Sequence, residues 1–211
     1  MVIFHFCFDL RYFGFVDWGV PNGEGWWQFR YLILSLFIGT VGISMSLAQG
    51  DGFKRKPFLI RQGKLLGAAV LITLMSLFIF PQSWIFFGIL HFIFVASLIC
   101  LFFVRIPLIA LVLGVGIVFA HILGFTEPFW PFSYIRDSLP SHTEDFVPFF
   151  PWLGVALIGV YLGFLIQQRK PAFCRLFETK TAFIGRHALL IYLLHQPLLF
   201  EGFSLFDLLL S

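Results

Sequence analysis

The stretch that decides the fold is WIFFGILHFIFVASLICLFFVRIPLIALVLGVGIVFAHILGF (84–125), where Arg105 alone among Asp, Glu, Lys and Arg interrupts two apolar runs. Each run is about as long as a membrane crossing needs to be. Neither alternates polar and apolar residues as a transmembrane barrel strand does, and in lipid a helix satisfies its own backbone hydrogen bonds.

Outward from this pair, similar runs recur at 1–16, 27–49, 65–81, 149–167 and 182–202, separated by short polar punctuation. With 84–104 and 106–125 they predict an all-α, polytopic transmembrane bundle of about seven helices, in a single domain over 1–211. Composition agrees: 59% of the residues are hydrophobic, 20% aromatic and 12% charged. A soluble domain carries roughly twice that charge. Glycines within the runs (Gly39, Gly42, Gly114, Gly116, Gly154, Gly159 and Gly163) read as helix-packing positions. Cys7, Cys100 and Cys174 lie in separate segments without metal-ligand spacing, which excludes a disulfide framework or zinc motif from the reading.

Charge placement gives an orientation. The connections 51–64 and 168–180, with Arg105 and Arg186, hold Lys54, Arg55, Lys56, Arg61, Lys64, Arg169, Lys170, Arg175 and Lys180. With alternating helices these fall on one side, predicted to be cytoplasmic by the positive-inside rule. Asp17, Glu24, Glu127, Asp137, Glu144, Asp145 and Asp207 fall on the other, together with Trp18, Trp26, Trp27, Trp84, Trp130 and Trp152. The tryptophans read either as an interfacial belt or as stacking platforms for sugar rings. Basic residues lining a membrane surface are accounted for by anionic lipid, so nucleic acid is not an expected partner. The first segment opens without a basic region and is too short to cross ~30 Å at 1.5 Å per residue. It is expected to begin upstream of Met1.

Polar residues inside apolar helices are costly, and they carry the chemistry here. His5, His91 and His195 are predicted to lie ~10 Å below the outer surface on three helices. His121, Asp9, Arg30 and Glu201 lie shallower. His5 and Asp9 are four apart and share a helix face, and a carboxylate orienting an imidazole suits general-base catalysis. A three-histidine zinc site is a competing reading of the same residues. Cys7 points to another face than His5, which disfavours a Cys–His nucleophile.

MVIFHFCFDLRYFG (1–14), WWQFRYLILSLFIGTVGISMSLA (26–48), WIFFGILHFIFVASLI (84–99), FFPWLGVALIGVYLG (149–163) and IGRHALLIYLLHQPLLF (184–200) together resemble the bacterial heparan-α-glucosaminide N-acetyltransferase-like membrane family. The last stretch also resembles the closing helix of the broader acyltransferase 3 superfamily. The resemblance implies an enzyme of the inner membrane that carries an acyl group from cytoplasmic acetyl-CoA, or another acyl-CoA, to an envelope saccharide. It implies that His5 is the catalytic first-helix histidine, which in the superfamily closes an Arg-x10-His motif whose arginine would precede Met1. Eukaryotic relatives place a catalytic histidine in the first outer loop, but DWGVPNGEG (17–25) has none. The expected roles are therefore His5 as base with Asp9 orienting it. Arg30 or His91 binds the thioester carbonyl, His195 positions the acceptor, and Lys54, Arg55 and Lys56 grip the coenzyme phosphates. A flippase or transporter of a lipid-linked saccharide, and a non-catalytic assembly partner for envelope enzymes, are the alternatives.

Overall fold

A computed structural model of the chain describes all residues except 21–22, 50–51, 80, 141–142, 144, 170–184, 186 and 211; the side chains of 207 and 210 are likewise undescribed. Glu144, Lys170, Cys174, Arg175, Lys180 and Arg186, and the side chain of Asp207, thus lie outside the described residues. Among the described residues there are seven α-helices and no strand: α1 (Val2–Tyr12), α2 (Trp26–Gln49), α3 (Arg55–Ile79), α4 (Ile89–Phe103), α5 (Pro107–Ile122), α6 (Trp152–Arg169) and α7 (Ala188–Leu210). A 3-10 helix spans Phe132–Ser138 between α5 and α6. By length and composition α2, α3, α6 and residues 188–206 of α7 are each able to cross a membrane, while α4 and α5 are apolar but shorter. Side chains such as Phe78, Phe102 and Ile122 are largely exposed, as befits helices solvated by lipid. The chain is a multi-pass helical membrane protein.

Several boundaries differ from those read in the sequence: α7 runs on to Leu210 rather than ending at 202, and α3 and α4 start elsewhere. The basic stretch 51–64 was expected to be a connection, but α3 begins within it, at Arg55. Pro57 sits in the first helical turn, where its missing N–H would have had no intrahelical partner. Lys54, the residue before the helix, donates its backbone N–H to Gln49 Oε1 over 2.7 Å, and its carbonyl accepts from Phe58 N–H. α4 starts at Ile89 rather than 84, because Trp84–Gly88 is tied up in contacts to α3 and to the following histidine.

Contacts divide the chain into two compact units, Met1–Leu34 with Lys170–Ser211 and Ser35–Arg169. In the first unit α1 packs on α7 through aromatic rings: Phe6 meets Phe203 at 5.4 Å, and Phe13 meets Phe200 at 5.2 Å. Buried Phe4 packs between Trp26 and Phe29 of the first turns of α2. Just past the end of α1, the positive φ of Gly14 lets the Phe15 N–H turn back to the Leu10 carbonyl.

The second unit is held by helices in backbone contact. A Cβ on Gly42 of α2 would collide with the Ala156 carbonyl and the Val160 nitrogen of α6. Gly114 of α5 and Gly154 of α6 face each other, and a Cβ on either would lie 2.7 Å from the other's carbonyl oxygen. Gly159 and Gly163 are similarly closed by α2. These glycines serve the close packing expected of them. Gly116 does not: a Cβ there meets nothing within 4 Å.

Candidate active site

His5 and Asp9 lie one turn apart on α1, and α7 brings His195 and Gln196 to them. The His5 and His195 rings meet edge to face with centroids 5.0 Å apart. His195 Nδ1 lies 2.6 Å from the Tyr192 carbonyl oxygen. A carbonyl only accepts, so Nδ1 bears the proton and, in the neutral ring, Nε2 presents a lone pair. That Nε2 is buried and has no partner among the described residues. Pro197 within α7 follows this pair directly. Lacking an N–H, it leaves the backbone ladder interrupted beside the site.

Asp9 is completely buried. Its Oδ1 accepts from Gln196 Nε2 over 3.2 Å, while its Oδ2 and the Gln196 Oε1 are buried without partners among the described residues. In place of the pairing expected between Asp9 and His5, Asp9 thus accepts a hydrogen bond from Gln196. Three unpaired atoms thus collect in this unit, Asp9 Oδ2, Gln196 Oε1 and His195 Nε2, and all three are acceptors. Such a set is complementary to N–H and O–H donors.

The other expected residues lie elsewhere. Arg30 is exposed on α2 in the same unit, and Glu201 is exposed on α7. His91 belongs to the second unit and is engaged at both nitrogens. Its Nδ1 accepts from the Gly88 N–H over 3.3 Å, capping α4. Its Nε2 lies 3.2 Å from Thr73 Oγ1, which donates to the Ile85 carbonyl. His121 is paired with Thr126 over 2.6 Å. Lys54, Arg55 and Lys56 are exposed at the start of α3. Among the described residues no three His, Cys, Asp or Glu side chains gather closely enough to share a metal ion.

The tryptophans divide by environment. Trp152 is buried in the second unit, so it serves packing there. Trp18 is exposed and stacks on Trp26 at 6.1 Å in the first unit. Sequence reasoning did not single out Gln196. A neutral amide on an apolar helix gives no charge signal, although its place between His195 and Pro197 in the quoted stretch marks it.

No curated protein and no solved structure matches the chain. A family model described as heparan-alpha-glucosaminide N-acetyltransferase, catalytic, matches residues 1–197. That span contains His5, Asp9, Arg30, His195 and Gln196, and it covers most of the chain. The chain belongs to the heparan-alpha-glucosaminide N-acetyltransferase catalytic-domain family, a family of membrane N-acetyltransferases.

Proposed function

We propose that the chain transfers an acyl group, acetyl in the simplest case, from cytoplasmic acyl-CoA to an amine or hydroxyl of an envelope sugar at the outer face of a bacterial inner membrane. The observation that carries this reading is the meeting of His5 and His195 beside buried Asp9, inside the span that matches the family. The one-sided placement of basic residues supports the orientation.

In this reaction the acceptor nitrogen or oxygen attacks the thioester carbonyl and His5 takes its proton. His195 Nε2 accepts a hydrogen bond from the acceptor and aligns it, and Asp9, held by Gln196, offsets the positive charge that forms on the imidazole. The tetrahedral oxyanion needs a donor, and Arg30 supplies it. His91 would have to give up Thr73 to do so. Collapse expels the coenzyme thiolate, which receives the proton from His5. Lys54, Arg55 and Lys56 hold the coenzyme phosphates.

Purified protein in nanodiscs, given radiolabelled acetyl-CoA and a glucosamine-terminated acceptor, should yield labelled acceptor and free CoA thiol. A flippase would move a lipid-linked saccharide across proteoliposomes without forming either product, and that result would overturn the reading.

A further inference from the structure

A second buried polar place lies in the second unit. Gln62 of α3 is 5% exposed, and both its Nε2 and its Oε1 are buried without a partner among the described residues. Ser97 of α4, a helix that packs on α3, is fully buried, and its Oγ is also unpartnered. Leucine or methionine would fill such positions without desolvating an amide, so retaining glutamine there points to a ligand.

Position on the helix narrows the ligand. Gln62 lies on the buried face of α3 with Phe58, Leu65 and Ala69. Arg55, seven residues before it, projects from the same face at the exposed start of the helix, ~10 Å away along the axis. A carboxamide offers an N–H donor and a carbonyl acceptor on one plane, which is the complement of a secondary amide. A phosphate oxygen uses only the donor, and a hydrocarbon chain uses neither. Acyl-CoA joins the two kinds of group: anionic phosphates at one end, then an arm bearing two secondary amides, then the thioester.

We propose that Gln62, assisted by Ser97, is a binding site for an amide of the pantetheine arm of acyl-CoA, with Arg55 engaging the phosphates. This rests on acyl-CoA being the donor. In this proposal the cationic start of α3 meets the head group, and the arm reaches from it to Gln62, about two helical turns deeper. Gln62 then fixes how far the arm is inserted. It is a specificity residue for the arm and touches neither the thioester carbonyl nor the acceptor.

The test compares full-length wild type with Gln62→Leu and Ser97→Ala in nanodiscs, titrated with CoA and with adenosine 3′,5′-bisphosphate, which lacks the arm. Gln62→Leu should weaken CoA binding tenfold or more and leave the bisphosphate unchanged. Its KM for acetyl-CoA should rise with little change in kcat. Its thermal midpoint should hold or rise, because an unpaired amide has been replaced by hydrocarbon. Ser97→Ala should weaken CoA several-fold, and it provides the readout where Gln62→Leu fails to fold. Folded variants that bind CoA as wild type does would overturn this site alone and assign Gln62 to buried water. Wild type that binds no acyl-CoA would remove the donor reading itself.

Discussion

Gln196 donates its Nε2 to Asp9 Oδ1 over 3.2 Å, joining α7 to α1 across 187 positions of sequence. The acid at the centre of the site is therefore held by a neutral amide, and its second oxygen is left for another donor. Gln196→Leu should cost ~1–3 kcal/mol of stability, since it strands a buried acid. Adding Asp9→Asn should recover part of that loss, because removing both partners is milder than removing one. Thermal unfolding of the single and double variants in detergent measures this. Additive losses would mean that the two side chains are not coupled.

His5→Ala should lower transfer per folded molecule by ~10²–10⁴-fold, the contribution of a positioned base. The smaller His5→Gly variant should regain part of its rate on addition of imidazole. A packing role forecasts lower abundance with an unchanged turnover number and no rescue.

Gly42→Ala should destabilise the protein by ~1–3 kcal/mol, because the added methyl meets backbone atoms of α6, which cannot rotate aside. Gly116→Ala, with open space around it, should be neutral or slightly stabilising. Equal effects in a melting assay would refute close apposition of α2 and α6.

Cysteines placed at Tyr134, which is almost wholly exposed, and at Gln168, near the end of α6, should label from opposite sides of the membrane. An impermeant maleimide should reach the first in intact cells and the second only after permeabilisation. Labelling of both from outside would reverse or break the proposed orientation.

Neutralising Lys54, Arg55 and Lys56 together should weaken acyl-CoA binding and flatten its dependence on salt, since exposed ionic contacts are screened. Isothermal titration at two ionic strengths reads both effects. Unchanged affinity would leave these residues with orientation alone.

The helical class was legible because apolar runs such as 84–125 exceed anything a water-soluble core needs. The start of α3 was not, because charge was read as a loop signal. Lys and Arg at a membrane helix end keep their charge at the surface while their stems stay on the helix. His5 and His195 could be placed near one another from depth alone, since rise per residue gives height. Depth does not give partners. His91 has a similar predicted height, yet its nitrogens are taken by Gly88 and Thr73. Gln62, Ser97 and Gln196 escaped notice because their significance lies in unpaired atoms, which only a packed structure shows.

α4 and α5 have 15 and 16 residues and are joined across Val104, Arg105 and Ile106. At the helical rise each reaches only ~23 Å, against ~30 Å of hydrocarbon. A rod shorter than the film around it draws head groups and water inward, at a fraction of a kcal/mol per Å of mismatch. A bilayer pinched beside this hairpin is the expected consequence. In the proposed reaction, where a water-soluble donor and a polar acceptor meet through oil, such a dimple shortens the dry part of the journey.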